Sequence, residues 1–348
     1  YFKGLGFIGE KNYDQARMAV GKAVELNSGY FKARMLLADI HLHERSFDLA
    51  VDEAGEALKM VPGDYQTRMI RAHALIGLKK VEEAEKDFQI LIDNHPENPA
   101  AFYQMGLLKS AFRDYDAALD YLSRAYDKNN RLIDVFVQTA KIHVIRKAFD
   151  KAHALCDRQI DIYKDQKPLI AIVHNVRAGI YLAENDIEKA REALNQSVDV
   201  NPDYLPPYET LARLYLAENN KEKAIRQYET ILEKNPKLPV PHMIIGTLYD
   251  SDKAYDKAAD HYREALSINP EFAPAANNLA YHLLQRTDQV DEALRLAGIA
   301  KGKLPEDPGV MDTLGLAYYR KGLYGNAVNE FLDSLKKIPE NPIVHYHL

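Results

Sequence analysis

A pattern with a spacing of about 34 residues recurs along the whole of this chain. Segments such as GLLKSAFRDYDAA, RLYLAENNKEKA and GTLYDSDKAYDKA share an apolar stretch, a polar turn and a charged segment that ends in alanine. Aligned on that alanine, seven of the nine intervals are 34 residues and the others are 38 and 35. The alanines are Ala16, Ala50, Ala84, Ala118, Ala152, Ala190, Ala224, Ala258, Ala293 and Ala327. A fixed period of this length predicts an array of similar structural units.

Two further positions recur with the same period. About twelve residues before each alanine lies a residue that is never larger than alanine: Gly4, Ala38, Ala72, Gly106, Ala140, Ala178, Ala212, Gly246, Ala280 and Gly315. Proline stands near the end of eight copies: Pro62, Pro96, Pro168, Pro202, Pro236, Pro270, Pro305 and Pro339. Small side chains at two fixed sites predict a close contact between paired helices, where a bulky residue would cost about 1–3 kcal/mol.

Each copy carries two stretches whose apolar residues recur at helical spacing. In the seventh copy these residues are Leu211, Leu214 and Tyr215 in the first stretch, and Ile225, Tyr228, Ile231 and Leu232 in the second. The polar turn ENNK separates them, and Pro236 follows because proline cannot continue a helix. One hairpin cannot bury its apolar face alone, so neighbouring copies must stack.

This combination of period, small residues and closing proline resembles the tetratricopeptide repeat. The resemblance implies an all-α fold, a right-handed α-α superhelical solenoid of stacked helix-turn-helix units. It predicts a single array over residues 1–348, and both ends fall inside a repeat, so we expect a fragment of a longer protein. The approximate copies are 1–30, 31–64, 65–98, 99–132, 133–170, 171–204, 205–238, 239–272, 273–307, 308–341 and a partial copy at 342–348.

Two insertions interrupt the period. Four extra residues lie between Ala152 and Pro168, which is close to one helical turn, so we expect the second helix of the fifth copy to be longer. One extra residue lies in the turn QRTDQV of the ninth copy. The stretch GLGFIG matches a dinucleotide-binding pattern, but no strand precedes it, so Gly4 is interpreted as a helix-contact residue.

Composition excludes several classes of function. The net charge is −6 with no cluster of basic residues, which argues against nucleic-acid binding. No apolar run is long enough for a membrane span, and the single cysteine, Cys156, is expected to be buried. No catalytic motif is present, so we predict a protein without enzymatic activity or cofactor.

Three polar side chains form a candidate metal site. Asp39 and His43 lie four residues apart on one helix, and His73 takes the Asp39 position in the next copy. A chance distribution of polar side chains on exposed helix faces explains the same arrangement, so no metal is predicted. His41 and His143 are interpreted as helix-packing residues.

The resemblance also implies where a partner binds, because first helices line the concave groove in this family. The groove positions carried over to this chain are Met35, Leu36, Met69, Ile70, Tyr103, Gln104, Leu107, Val137, Gln138, Lys141, Arg213, Asn277, Asn278 and Tyr281. The part of the groove formed by copies two to six is apolar with Gln104, Gln138, Lys141 and Asn175 interspersed, and the part formed by copies seven to ten is polar. An exposed apolar groove is typical of a site for a peptide or protein segment.

We therefore predict a non-enzymatic protein–protein interaction scaffold. The C-terminal copies are similar in style to bacterial repeat proteins, including envelope lipoproteins of exopolysaccharide export and protein-sorting (exosortase) systems, which favours a periplasmic or membrane-anchored location over the cytoplasm. The alternative is the substrate-recruiting arm of an enzyme such as a protein glycosyltransferase, although only one asparagine in nine, Asn278, occupies the relevant position. Self-association through the cut repeat ends is a further alternative.

Overall fold

The computed structural model describes residues 1–348 and contains 21 helices and no strand, which confirms the all-α prediction. Two compact units, Tyr1–Asp186 and Ile187–Leu348, divide the chain. Unit 1 contains α1 (Phe2–Gly9), α2 (Tyr13–Leu26), α3 (Phe31–His43), α4 (Phe47–Met60), α5 (Tyr65–Gly77), α6 (Val81–Asn94), α7 (Pro99–Ala111), α8 (Tyr115–Lys128), α9 (Ile133–Ile145), α10 (Phe149–Tyr163) and α11 (Lys167–Ala183). Unit 2 contains α12 (Ile187–Val200), α13 (Pro206–Ala217), α14 (Lys221–Lys234), α15 (Pro239–Ser251), α16 (Tyr255–Ile268), α17 (Ala273–Arg286), α18 (Val290–Lys303), α19 (Pro308–Arg320), α20 (Tyr324–Lys337) and α21 (Pro342–His347).

Within each unit the helices form hairpins that stack on one another. In unit 1 the pairs α3–α4, α5–α6 and α7–α8 are in close contact, and each second helix also contacts the first helix of the next hairpin. In unit 2 the pairs α13–α14, α15–α16, α17–α18 and α19–α20 repeat this arrangement. First helices of consecutive hairpins also meet, as α7 meets α9 and α17 meets α19. None of the 21 helices combines the length and the apolar content needed to cross a bilayer.

Small residues lie at the contact between the two helices of a hairpin, as the sequence predicts. A Cβ atom on Gly4 would come within 2.4 Å of Val20, and one on Gly106 within 2.8 Å of Leu122. At the second small position, Ala190 and Ala224 are fully buried. Gly6, in contrast, has no neighbour within 4 Å of its added Cβ position, so GLGFIG contributes only one of its glycines to this packing.

In nine of the ten hairpins, the turn between the two helices ends the first helix with a Schellman motif. In the third copy, the Lys80 N–H donates to the Leu75 carbonyl and the Lys79 N–H to the Ile76 carbonyl, both at 2.9 Å. Lys79 then lies in the left-handed region at φ 61°. Left-handed residues recur at Lys11, Arg45, Lys79, Arg113, Lys147, Asn185, Asn219, Lys253 and Gly322. The ninth copy departs from this pattern, since α17 ends at Arg286 and Thr287 is extended.

The four-residue insertion lengthens a different helix from the predicted one. The second helix of the fifth copy, α10, has 15 residues, only one more than most second helices. The helix α11 has 17 residues, four more than α9, and Pro168 lies in its first turn. Proline is tolerated there because the first turn has no intrahelical partner for its missing N–H. Pro168 therefore opens a helix, whereas Pro62 and Pro96 stand in the turns between hairpins.

Candidate protein-binding surface

An apolar row runs across consecutive first helices of unit 1. It consists of Met35 on α3, Met69 on α5, Tyr103 on α7 and Val137 on α9, which occupy the same position in four successive copies. Each side chain is half-buried and packs against a cluster of core residues, as Met69 and Tyr103 do against the cluster that contains Met105. We call these four residues the first-helix row. The core beneath holds each member in place, while part of each side chain is accessible.

Polar side chains accompany the first-helix row on α7 and α9. The Gln138 Nε2 donates to the Ser110 Oγ at 3.0 Å, which ties α9 to α7. Gln104 and Leu107 are half-buried and Lys141 is exposed. Ser110 is absent from the predicted site, although it lies on α7 three residues after the predicted Leu107, and this helical spacing is the signal that could have identified it.

One predicted groove residue is not on the surface. Ile70 is only 5% exposed and packs with Ala38 and Ala54 of the preceding hairpin. The prediction for Ile70 is therefore wrong, because stacking of the third copy on the second encloses this side chain. Leu36, at the same position one copy earlier, is half-buried against the cluster that contains Leu37.

In unit 2 the predicted residues are polar and linked by hydrogen bonds. The Asn278 Nδ2 donates to the Thr247 Oγ1 at 3.4 Å, which connects α17 to α15. The Asn277 Nδ2 is 3.5 Å from the Asn278 Oδ1, and the Asn277 Oδ1 is buried without a partner. An unpaired buried acceptor is costly, and this oxygen has no accessible surface through which a ligand could reach it.

Arg213 and Tyr281 complete the predicted set in unit 2. Both side chains are exposed, and Arg213 donates to the Thr210 hydroxyl at 3.3 Å. Burial of the phenol raises the pKa of Tyr281, with smaller contributions in the same direction from Asp312 and Asp250. Tyr281 is therefore a neutral donor at pH 7, whereas Arg213 supplies a positive charge.

The three candidate metal ligands do not come together. His43 and Asp39 lie 3.8 Å apart, but the ring of His73 packs edge-on against Phe88 at 6.0 Å between ring centres. No group of three His, Cys, Asp or Glu side chains in the chain has a geometry that could hold a metal ion. The candidate site is therefore wrong, because His73 takes part in helix packing.

Comparison with known families identifies matches along much of the chain. Family models described as tetratricopeptide repeat match residues 3–65, 71–132, 181–245 and 242–272, and together they span more than half of the chain.

Among curated proteins, the chain is similar to anaphase-promoting complex subunit 7 of Dictyostelium discoideum, with 24% identity over 218 residues. That match covers 60% of this chain and 35% of the relative, so the chain spans about a third of the relative's length.

Two solved structures share the fold. A tetratricopeptide repeat protein from Parabacteroides merdae matches with a TM-score of 0.52 and 17% identity, over 71% of this chain and 96% of that one. The C-terminal part of a repeat-containing protein from Cytophaga hutchinsonii matches with a TM-score of 0.50 and 15% identity, over 67% and 94% of the respective chains.

Proposed function

This chain belongs to the tetratricopeptide-repeat family, and from that premise we propose that it is a non-enzymatic scaffold that binds a segment of another protein on its first helices. The observation that carries this proposal is the first-helix row of unit 1. Met35, Met69, Tyr103 and Val137 place an apolar side chain on each of four consecutive first helices. Methionine and tyrosine adapt to or anchor apolar partner side chains, so this row suits an amphipathic helix or an extended segment.

The polar residues of unit 2 support a second mode of contact. Asn278 bridges α17 and α15 and is partly accessible. Amide side chains bind peptide backbone N–H and C=O groups without reading the sequence. The polar residues would therefore contribute affinity, and the apolar row of unit 1 would contribute selectivity.

Similarity to a named subunit of a multiprotein complex supports a role in assembly. A place in a bacterial envelope or exopolysaccharide-export assembly is the finer part of the proposal. It is supported by the resemblance of the C-terminal copies to bacterial repeat proteins.

Replacement of the first-helix row tests the proposal. In the double variant Met69→Glu, Tyr103→Glu, two charges replace two half-buried apolar contacts on neighbouring hairpins. We expect this variant to lose capture of the partner from a lysate of the source organism, as measured by mass spectrometry of the bound fraction. Ile70 is left unchanged because a charge at this buried site would disrupt the fold.

Ile90→Glu is the matched control, because Ile90 is an exposed apolar residue on the second helix α6. This variant should capture the same partner as the wild-type chain, and circular dichroism should show equal helix content in all three proteins. Equal capture by the double variant would refute binding on the first-helix row.

A further inference from the structure

A cavity of about 360 Å³ lies between the consecutive second helices α8 and α10, above the first helix α9. Its lining residues on α9 are Thr139 and His143, whereas the first-helix row uses Val137 on another side of the same helix. The volume falls at the small end of the range for ligand pockets, roughly 300–1,000 Å³. The cavity is therefore separate from the proposed protein-binding surface and has the size for one small molecule.

The floor of the cavity is apolar. Leu119 and Leu122 contribute from α8, and Leu155 contributes from α10. Leu122 is fully buried and the other two are half-buried. Such a floor favours a hydrocarbon body over a polar ligand, because apolar surface gains about 25 cal/mol for each Å² removed from water.

The rim of the cavity is basic. Lys151 and Arg158 lie seven residues apart on α10, so they face the same side of that helix. Both are exposed, neither takes part in an ion pair, and no acidic residue lines the cavity. The two cations are therefore available to an anionic ligand.

A tyrosine hydroxyl connects the cavity to its basic rim. The Tyr126 hydroxyl is buried beside the Arg158 guanidinium, which interacts with it. Burial raises the pKa of Tyr126, so this hydroxyl is a neutral donor. The Thr139 hydroxyl already donates to the Val135 carbonyl at 2.7 Å. Burial lowers the pKa of His143, and Lys151 and Arg146 lower it further, so the imidazole adds no charge at pH 7.

The equivalent crevice two repeats earlier is lined mainly by charged side chains. There, between α4, α5 and α6, Arg71 replaces Thr139 and Asp87 replaces Leu155. Arg71 and Asp87 form two hydrogen bonds of 2.7 and 2.6 Å, so they satisfy each other. Glu83 occupies the position of Lys151. The same backbone arrangement thus provides a crevice lined by charges of both signs between α4, α5 and α6, and an apolar cavity with a basic rim between α8, α9 and α10.

We infer that the cavity between α8, α9 and α10 binds a small amphipathic carboxylate of the size of a medium-chain fatty acid. The carboxylate lies between Lys151 and Arg158, and the Tyr126 hydroxyl positions the Arg158 guanidinium. The hydrocarbon chain lies against the leucines of the floor. This site is independent of the proposed protein-binding function.

Isothermal titration of the whole chain with sodium decanoate tests this inference. We expect saturable binding at one site per chain, and little or no binding of decyltrimethylammonium, which has the same alkyl chain and the opposite charge. The variant Lys151→Glu, Arg158→Glu should bind decanoate at least about tenfold more weakly, because it removes two charge-assisted contacts. Tyr126→Phe should bind a few-fold more weakly and fold with unchanged helix content.

Glu83→Gln is the matched control at the equivalent crevice and should bind decanoate as the wild-type chain does. Equal binding of the cationic detergent, or decanoate binding that the double variant leaves unchanged, would overturn the assignment. A free fatty acid and the C-terminus of a peptide both present a carboxylate beside an apolar group. A short peptide that ends in Leu-Leu-COO⁻ distinguishes these two sources. Binding of that peptide without binding of decanoate would overturn the assignment to a free fatty carboxylate.

Discussion

Residue size at the contact between paired helices decides whether a hairpin can close. At Gly246 an added Cβ would lie 2.7 Å from the ring of Tyr262, which is itself fully buried. The ring has no free space into which it can move, and the Ala258 carbonyl is 3.2 Å away on the same side. Glycine at this site is therefore required by packing and not by backbone conformation.

The substitution Gly246→Ala should destabilise unit 2 by about 1–3 kcal/mol, because it overpacks this contact. The same substitution at Gly298 is the control, since an added Cβ there has no neighbour within 4 Å. Gly298→Ala should stabilise α18 by about 0.5–1 kcal/mol, because alanine has the higher helix propensity. Urea unfolding followed by circular dichroism measures both, and equal effects of the two substitutions would contradict this explanation.

A histidine pair occupies a position that ion pairs fill in earlier copies. The Nδ1 atoms of His242 and His261 lie 3.1 Å apart, where the second copy has Arg34 with Glu53 and the third has Arg68 with Asp87. Burial lowers the pKa of both histidines, and for His261 the charge of His242 lowers it further. Glu264 opposes the shift of both, and Asp260 opposes that of His261.

The fold therefore favours the neutral pair, and acid should destabilise unit 2. As the pH falls below the ordinary histidine pKa of 6.5, the unfolded chain takes up protons before the folded chain does, so stability is present above that pH and is lost below it. We expect the urea midpoint to fall between pH 7.5 and pH 5.5, and to fall less in His261→Gln. The exposed His345 supplies the control His345→Gln, which should match the wild type; an unchanged pH response in His261→Gln would argue against this role.

At the scale of the element, the turn inside eight of the ten hairpins places a non-glycine residue in a left-handed conformation. Lys79 adopts φ 61° after α5, with both Schellman hydrogen bonds formed. Such a conformation costs an L-residue with a Cβ about 1–2 kcal/mol, whereas glycine adopts it readily.

The substitution Lys79→Gly should consequently raise the free energy of unfolding of unit 1 by about 0.5–1 kcal/mol, since relief of strain exceeds the added freedom of the unfolded chain. Lys86→Gly is the control, because Lys86 lies inside α6, where glycine costs about 1 kcal/mol. Chemical denaturation measures both variants. Destabilisation by Lys79→Gly would show that the left-handed turn is not a source of strain.

Sequence periodicity predicted the elements well and their lengths less well. The small residues mark the contact between paired helices, and Pro236 lacks the backbone N–H that would continue a helix. Both effects are local, so these positions located the hairpins. The placement of the insertion failed, since Pro168 is compatible with either a turn after α10 or the first turn of α11. Only the hydrogen bonds around Gln166 distinguish these cases, and they depend on the fold of the following helix.

At the scale of the whole molecule, the repeat brings residues 34 positions apart onto neighbouring helices, which is why candidate surface residues could be chosen from the sequence. Met69 and Tyr103, which lie 34 residues apart on α5 and α7, show this. Cys156 is buried as predicted, and burial raises the pKa of its thiol to about 11. Ile70 could not be assigned correctly, because its burial depends on how closely one hairpin stacks on the preceding one. The cavity beside Tyr126 was missed because none of its lining positions belongs to the predicted groove.

Site-specific photo-crosslinking tests the central claim, that the first helices of unit 1 hold a protein segment. A photoreactive phenylalanine analogue is placed at residue 69 on α5 or, as the control, at residue 90 on α6, and each protein is irradiated in a lysate of the source organism. We expect a discrete protein adduct from residue 69 that unlabelled wild-type chain competes away, and no such adduct from residue 90. Adducts from residue 90 alone, or none from residue 69 while the partner is still captured, would contradict the claim.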